Sequence, residues 1–361
     1  MIINIINMKQ INNLIKVLVI IALLAIPFSQ GFSGNPQRSG QAGASELLIN
    51  PWGRTTGWAG ANVAGVRGLE GIYSNVAGLA FTEKTELIFS TTEWLKIGND
   101  AVSNISSFGF SQKVGESGVI GFAIMSMGFG DIEITTVELP DGGIGTYSPS
   151  FMNISLSYSK IFSNSIYGGL TVKMISEQIA NVGASGMALD AGIQYVTGNK
   201  DNMKFGIVLK NVGPRMSFKG DGLSFRGIVG DADDYKMTVE QRSSELELPA
   251  LLSIGLSYDV NVMKHRITGA STFTSNSFEN DQYRLGGEYA YNEMFMMRMG
   301  YVYEDGIRTP STRATALRGP TAGFTVELPM GVNSSTFGLD YSYRHTDPFQ
   351  GSHTISARIN L

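Results

Sequence analysis

Residues 295–304 read Phe295-Met-Met-Arg-Met-Gly-Tyr-Val-Tyr-Glu304, ten residues in which the side chains divide into two alternating sets. The first set is apolar or aromatic throughout: Phe295, Met297, Met299, Tyr301 and Tyr303. The second set is mixed: Met296, Arg298, Gly300, Val302 and Glu304. A period of two is the pattern of a β-strand, because successive side chains point to opposite sides of a sheet. This stretch therefore predicts a strand with one wholly apolar face.

The same alternation recurs along most of the chain, at 152–158, 187–195, 252–258, 283–291 and 337–344. Many of these apolar faces end on a tyrosine, a residue enriched where a membrane meets water. From residue 85 onward, turn residues divide the chain into segments of about ten residues. These segments predict fourteen strands, which start near residues 85, 102, 117, 150, 164, 184, 203, 247, 263, 280, 293, 319, 333 and 350.

The composition agrees with a barrel in a membrane. Of the 361 residues, 43% are hydrophobic, only 16% are charged and 44 are glycine, and the mean hydropathy is +0.03. Soluble domains carry about 25% charged residues, whereas no apolar run beyond residue 28 approaches the ~20 residues of a membrane-spanning helix. In a closed barrel only alternate side chains face lipid. The sequence predicts an all-β fold, a transmembrane outer-membrane β-barrel of about 14 antiparallel strands.

Three long connections are predicted, at 130–149, 214–246 and 305–318, and each follows an odd-numbered strand. In an antiparallel barrel such connections emerge at one end, which we expect to be the extracellular end. A large soluble β-sandwich or propeller is the alternative fold. The strand length and the alternating stretch 353–361 argue against it, although Leu361 stands where outer-membrane barrels commonly have an aromatic residue.

The N-terminal region has the features of an export signal. Lys9 and Lys16 precede an apolar run at 17–28, and residues 29–31 include small residues suited to a cleavage site. This pattern predicts a cleaved signal peptide at 1–31. Residues 32–84 lack alternation over most of their length and are rich in small residues, so we expect a flexible N-terminus and a short hatch folded into the lumen. The barrel is predicted at 85–361.

Charge and cysteine content exclude several functions. Lys and Arg total 27 against 31 Asp and Glu, and the net charge of −4 offers no basic surface for nucleic acid. The absence of cysteine excludes disulfides, thiolate metal sites, a cysteine nucleophile and a lipid-anchored cysteine. His265, His345 and His353 lack metal-binding spacing, and no G-x-S-x-G nucleophile motif occurs. We therefore expect no enzyme activity, no catalytic residue, no metal and no cofactor.

A few clusters invite a binding role. The candidate partner-contact residues in the loop 214–246 are Asp231, Asp233, Asp234 and Tyr235. The three acidic residues lack the spacing of a calcium loop, so we expect a solvated extracellular segment. The glycines within 142–145 are interpreted as a turn, and His345 with Asp347 as interfacial polar residues. The methionines within 294–299 fit a lipid-facing wall, or alternatively an adaptable ligand surface.

Longer motifs carry a family resemblance. Residues 206–215 read Gly206-Ile-Val-Leu-Lys-Asn-Val-Gly-Pro-Arg215, and Phe218-Lys-Gly-Asp-Gly-Leu-Ser224 follows. Then come Glu247-Leu-Pro-Ala-Leu-Leu-Ser-Ile-Gly-Leu-Ser-Tyr258, Leu285-Gly-Gly-Glu-Tyr289 and Arg298-Met-Gly-Tyr301. In this order the motifs resemble the PorV/PorQ family, the Bacteroidetes branch of the FadL-like outer-membrane barrels.

The resemblance extends to an N-terminal hatch motif. The stretch Asn75-Val-Ala-Gly-Leu79 is similar to it, although the family usually has proline where this chain has Val76. The residues that the resemblance assigns to the hatch are Gly57, Gly60, Asn75, Gly78 and Leu79.

The resemblance implies a fourteen-stranded barrel with a hatch, in the outer membrane of a Gram-negative, Bacteroidetes-like bacterium. For PorV-like proteins it implies a component of the type IX secretion system. Such a component binds the translocon and cargo proteins that carry C-terminal signal domains. For FadL-like relatives it implies a channel for hydrophobic small molecules, with a lumen pocket of methionines and aromatics behind the hatch and a lateral opening at a kinked strand. The shared motifs are structural and leave both functions open. A third hypothesis, an outer-membrane hydrolase, requires a Ser–His hydrogen bond near one rim.

Overall fold

The computed structural model describes residues 34–97, 101–228, 236–311, 313, 315–331 and 335–361. The predicted signal peptide at 1–31 lies outside these residues. The candidate contact residues Asp231, Asp233, Asp234 and Tyr235 also lie outside them. In the described part of the chain, no helix is long and apolar enough to cross a membrane.

The described residues form nineteen strands. In chain order they are β1 (Thr85–Ile97), β2 (Ala101–Val114), β3 (Gly118–Gly128), β4 (Ile132–Glu133), β5 (Thr146–Tyr147), β6 (Ser150–Ile161), β7 (Ile166–Ile179), β8 (Val182–Thr197), β9 (Met203–Val212), β10 (Phe218–Lys219), β11 (Ser224–Ile228), β12 (Lys236–Glu240), β13 (Leu251–Val262), β14 (His265–Asn276), β15 (Gln282–Tyr291), β16 (Phe295–Glu304), β17 (Leu317–Met330), β18 (Ser335–Thr346) and β19 (Ser352–Asn360).

Fourteen of these strands form the wall of a closed barrel, while the short strands β4, β5, β10, β11 and β12 belong to loops. Each wall strand pairs antiparallel with the next, and β1 closes the sheet by pairing with β19 over the register Glu86↔Asn360 to Glu93↔His353. The predicted fold class is confirmed. Each predicted strand start lies within four residues of the observed one, because the turn residues that divided the sequence do bound the strands.

The apolar stripes face outward, as a membrane-embedded wall requires. Phe295, Met297 and Met299 are at least half exposed on the outside of β16, while Arg298 between them is buried in the lumen. The inward side chains of the other strands are mostly small and polar, for example Ser155 and Thr171. The barrel is therefore inverted relative to a soluble protein, with its apolar surface outside and hydrogen-bonding groups inside.

All long connections leave the wall at one end, which we call the long-loop end. They run from β3 to β6 with the hairpin β4–β5, from β9 to β13 with the hairpin β11–β12, and from β16 to β17. The connections 115–117, 162–165, 198–202, 263–264 and 292–294 are short and lie at the opposite, short-turn end. This arrangement follows from the antiparallel order of the wall strands.

Residues 34–84 thread through the lumen as the hatch. They contain the short α-helix α1 (Gly53–Gly57) and the 3-10 helices Pro36–Arg38, Ser45–Leu48, Gly68–Tyr73 and Val76–Phe81, and a further 3-10 helix (Asp221–Leu223) lies in a loop. The hatch begins at the long-loop end, where Arg38 pairs with Glu247 at 2.8 Å. It ends at the short-turn end, where β1 starts. The hatch therefore spans the lumen from one end to the other.

Glycines in the wall make room for the hatch. A Cβ at Gly300 of β16 would lie 2.5 Å from the backbone of Trp58, and a Cβ at Gly206 of β9 would lie 2.8 Å from the Cα of Ala64. Side chains at these positions would collide with the hatch backbone. The high glycine content thus serves the lumen as well as the turns.

Single cysteines test the path of the hatch, because the chain has no cysteine of its own. Gln37, Val137 and Asn164 are exposed, at the start of the hatch, in a long loop and in a short turn respectively. On intact cells we expect a maleimide coupled to a bulky polymer to label Gln37→Cys and Val137→Cys, but Asn164→Cys only after the outer membrane is opened. If Gln37→Cys reacted only after the outer membrane is opened, as Asn164→Cys is expected to do, the result would contradict the observed path.

Candidate functional site

Apolar contacts attach the hatch to one half of the barrel wall. Leu69, Ile72 and Leu79 of the hatch are buried in one cluster with side chains of β1, β2, β3, β6, β7 and β8. Among these wall side chains are Ile88 and Val119. The sequence folds this way because the 3-10 helices Gly68–Tyr73 and Val76–Phe81 present their apolar residues to the few wall positions that are themselves apolar.

Polar contacts attach the hatch to the opposite half of the wall. The amide of Gly53 donates to Ser356 Oγ of β19 at 2.9 Å. The hydroxyl of Thr321 on β17 donates to the carbonyl oxygen of Gly57 at 3.0 Å. Arg358 of β19 lies 3.5 Å from Glu70 of the hatch. Helix α1 therefore packs against β16–β19, and its two terminal glycines hydrogen-bond directly to this part of the wall.

The inner wall beside α1 carries a series of ion pairs. Arg298 Nε lies 2.8 Å from Glu288, and Arg266 Nη2 lies 3.0 Å from the same carboxylate. Further along the wall, Lys204 pairs with Asp259 at 2.5 Å and Arg358 pairs with Glu327 at 2.7 Å. Buried charges are tolerated when they are paired and hydrogen-bonded. Charge is most dense on this side of the lumen, although β7 and β8 also carry a buried ion pair, Lys173 with Asp190 at 2.6 Å.

A cavity of about 560 Å³ lies between the hatch and the long loops, and we call it the outer cavity. Large apolar side chains make up much of its lining, among them Leu48, Trp94, Met127, Phe129, Leu251 and Phe349. They come from the hatch, from the long-loop ends of β1, β3 and β13, and from the loop before β19. The volume lies within the range of sites that bind small molecules.

Three cations also line the outer cavity. Lys210 donates to the carbonyl oxygen of Tyr73 at 2.8 Å, and Arg344 lies over the ring of Trp94 at 5.1 Å. Arg284 donates to Gln282 at 2.6 Å, and its Nε is buried without a hydrogen-bond partner. Among the described residues, none of these three cations forms an ion pair with a carboxylate. The outer cavity therefore combines apolar walls with positive charge that the protein does not neutralise by direct pairing.

Two carboxylates share the outer cavity with these cations. Burial raises the pKa of Glu46, and it raises the pKa of Glu279 against the opposing effect of Arg284. A raised carboxyl pKa means that burial disfavours the charged form. Of the two, Glu279 is the one close enough to Arg284 for the two charges to interact.

A second cavity of about 500 Å³ lies on the short-turn side of the hatch, and we call it the inner cavity. Its lining is dominated by charged residues of both signs, including Arg54, Arg67, Lys204, Asp259 and Glu288. Thr55 lines both cavities. Helix α1 is therefore part of the barrier between the outer and the inner cavity.

The structure places the five predicted hatch residues in the lumen. Asn75 accepts a hydrogen bond from the amide of Ala77 at 3.1 Å and donates to the carbonyl oxygens of Val63 and Ile193. The bond to Ile193 ties the start of the 3-10 helix Val76–Phe81 to β8. Gly57 lies against Arg298, and Gly60, which has a φ of +70°, lies against Arg284. Gly78 packs on Val66, and Leu79 packs on Gly121 of β3. These residues position the hatch and contribute little to either cavity lining.

Other clusters from the sequence have plain structural roles. Met297 and Met299 face outward, but Met296 is buried in the lumen and its sulfur lies 3.3 Å from Arg54, so the methionine group does not form one surface. The side chains of His265, His353 and His345 hydrogen-bond to the hydroxyls of Tyr289, Tyr341 and Tyr343, respectively. Asp347 pairs with Arg313 and Arg318. Within the described residues, no group of His, Cys, Asp or Glu is arranged to hold a metal.

The sequence reasoning missed Lys210, Arg284 and Arg344. All three lie near the long-loop end of a wall strand, at positions whose alternation points into the lumen. The signal was available in principle, since an inward cation near the end of a wall strand has to meet either the hatch or a cavity. Which of these it meets depends on the hatch path, which the sequence did not indicate.

No protein-family model matches this chain, and no curated protein matches it. Solved structures do match. The Pseudomonas putida toluene transporter TodX has a TM-score of 0.54 and 13% identity, covering 86% of this chain and 97% of that chain. The CymD monoaromatic hydrocarbon channel has a TM-score of 0.53 and 13% identity, with the same coverage of 86% and 97%. At this identity the likeness concerns the fold alone, and it agrees with the closed fourteen-stranded barrel of this chain.

Proposed function

We propose that this protein is an outer-membrane channel that admits a hydrophobic compound with an anionic head group through the outer cavity. The observation that carries the proposal is the presence of Lys210, Arg284 and Arg344 in a cavity lined largely by apolar side chains. The solved structures of the same fold support it, because their names describe a toluene transporter and a monoaromatic hydrocarbon channel. The location in the outer membrane of a Gram-negative bacterium is part of this proposal.

The chemistry of the lining selects an amphiphile. A partly buried cation without a counter-ion is costly, so a carboxylate or a similar anion that enters the cavity gains a charge-assisted contact. The rings of Trp94 and Phe129 and the side chains of Leu48 and Leu251 offer apolar surface to the rest of the molecule. An uncharged hydrocarbon would use the apolar surface and leave Arg284 and Arg344 unsatisfied.

The shape of the lumen restricts the entry route. Each wall strand of the described barrel pairs with both of its neighbours, although the pairing of β16 with β17 ends at Tyr301↔Pro320. The pairing is irregular at three places, near Leu95, near Asn211 and near Gly319, where the backbone φ is positive. Each irregularity has the form of a bulge. We place ligand entry at the long-loop end, where the outer cavity lies.

Binding of palmitate and of cetyl alcohol to the purified protein in lipid nanodiscs tests this proposal. We expect the double variant Arg284→Gln/Arg344→Gln to bind palmitate at least about tenfold more weakly, because a hydrogen bond to a charged group contributes about 1.5–3 kcal/mol. Binding of the uncharged alcohol should change little. Arg242→Gln, an exposed loop arginine, is the matched control and should bind palmitate like the wild type. Equal losses for acid and alcohol would contradict the role of the arginines.

A second function is supported by a separate observation at the long-loop end. Val137 is fully exposed and Leu139 and Ile144 are about half exposed in the loop between β3 and β6. Phe225 and Met237 are similarly exposed on the hairpin β11–β12. Exposed apolar groups of this kind are typical of protein-contact surfaces. Together with the PorV/PorQ resemblance, they support a role in type IX secretion, in which the long loops bind the translocon or its cargo.

Recovery of partners from native membranes tests this second function. With the wild type, we expect to recover a type IX translocon or cargo with C-terminal signal domains. The triple variant Val137→Ser/Leu139→Ser/Ile144→Ser should lose these partners while palmitate binding in the outer cavity stays unchanged. Thr135→Ala, an exposed polar residue of the same loop, is the control and should behave like the wild type. If the wild type recovers neither translocon nor cargo, the secretion role is wrong.

A further inference from the structure

We infer that the inner cavity is a second binding site, which takes a small hydroxylated anion such as a sugar phosphate from the short-turn end. This inference concerns a polar solute and does not depend on what the outer cavity binds. It rests on the position of the opening, on the charges that the lining leaves unpaired and on the polarity of the rest of the lining.

The inner cavity opens at the short-turn end. Lys200 and Asp201 belong to the turn 198–202 and Glu293 belongs to the turn 292–294, and all three are exposed lining residues. Toward the outer cavity the barrier is α1, which is anchored on both sides by tryptophans. Trp52 is fully buried in the apolar cluster and Trp58 is 2% exposed. A solute therefore reaches the inner cavity from the short-turn end while the hatch stays in place.

Most carboxylates of the inner cavity already have a partner. Four of the five lie within 4 Å of a cation, and these are Glu70, Asp259, Glu288 and Glu293. Lys204, for example, donates to Asp259 at 2.5 Å, and Arg266 donates to both oxygens of Glu293 at 2.8 Å. These carboxylates therefore have little need of a cationic ligand.

Three cations of the same lining lack a carboxylate partner. Arg54 donates to the sulfur of Met296 at 3.3 Å, which is a weak acceptor, and Arg67 lies over the ring of Phe81 at 4.7 Å. Among the described residues, neither these two arginines nor Lys200 forms an ion pair with a carboxylate. The cations of the inner cavity are thus less completely paired than its carboxylates.

The charge balance of the lining therefore selects an anion. Arg54 interacts with Glu70 at longer range, but Glu70 already accepts from Thr55 at 2.9 Å and lies 3.5 Å from Arg358. Asp201 is the remaining carboxylate, so three unpaired cations stand against one carboxylate in the described lining. A guanidinium binds a phosphate or a carboxylate through two parallel hydrogen bonds. The anionic group of the ligand belongs beside Arg54 and Arg67.

The rest of the lining favours hydroxyl groups over an acyl chain. In the described lining the only large apolar side chains are those of Trp58 and Val66. Asn62 Oδ1 and Ser257 Oγ are buried and have no hydrogen-bond partner among the described residues, although such groups normally have one. A ligand with hydroxyl groups suits this polar lining, and a volume of about 500 Å³ accommodates a phosphorylated sugar.

Binding of glucose 6-phosphate to the purified protein in lipid nanodiscs tests the inference. We expect Arg54→Gln and Arg67→Gln each to weaken binding at least about tenfold, because each removes a charged hydrogen-bond donor. Arg67 is exposed, so this variant keeps the test valid even if Arg54→Gln does not fold. Lys84→Gln removes an exposed charge at the same end outside the cavity and should bind like the wild type.

Three results of this experiment would overturn the inference: a wild type that does not bind glucose 6-phosphate, equal binding of uncharged glucose, or an equal loss in Lys84→Gln. Palmitate binding, measured on the same proteins, reports on the outer cavity. It should be unchanged in Arg67→Gln, so failure of the inner site and failure of the proposed channel function are distinguishable.

Protection of a single cysteine tests the location of the site. Asn261 is exposed and lines the inner cavity, whereas Asn164 is exposed in another short turn and does not line it. We expect glucose 6-phosphate to slow the reaction of Asn261→Cys with a small thiol reagent and to leave the rate for Asn164→Cys unchanged. Equal rates for Asn261→Cys with and without the ligand would overturn the assignment to the inner cavity.

Discussion

Backbone pairing within a closed sheet is the constraint on which the rest of this structure depends. In a bilayer an unpaired amide or carbonyl group costs several kcal/mol, and the pairing of β1 with β19 removes the last free edge of the wall. A closed wall of fourteen strands fixes a lumen too wide for wall side chains alone to fill. The hatch fills this space. Its backbone comes so close to the wall that positions such as 206 and 300 have room only for glycine.

The contents of the lumen follow from the same constraint. Because the outer face has to be apolar for lipid, the inner face can carry polar side chains, and these need partners once the hatch displaces water. On the side of β14–β19 the partners are ion pairs and hydrogen bonds, such as Arg298 with Glu288 and Arg358 with Glu70. On the side of β1–β8 the wall instead carries apolar residues such as Ile88 that match the hatch. Both sides also carry polar inward side chains, and Lys173 pairs with Asp190 between β7 and β8.

The fold was predictable from sequence to the level of individual strands, because outward stripes such as that of β16 alternate cleanly and end at turn residues. The hatch was predictable as a segment without alternation, but its path was not. Nothing within residues 32–84 shows that it starts beside Glu247 at the long-loop end. The outer cavity was equally inaccessible, since Lys210, Arg284 and Arg344 come from three strands and meet only through the register and the hatch path. Met296 is a different case, because the alternation of β16 separates it from Met297 and Met299, and only its contact with Arg54 of the hatch was beyond prediction.

The charge on the inner wall also bears on the ligand that we propose. A pure hydrocarbon in the outer cavity would meet charged groups on the way to the short-turn end, because the inner cavity is lined by residues such as Arg67, Asp259 and Glu288. For the anionic amphiphile that we propose, the inner cavity offers a further cation, Arg54, on the other side of the hatch from Arg284. The charge on the inner wall therefore fits an amphiphile better than a neutral hydrocarbon.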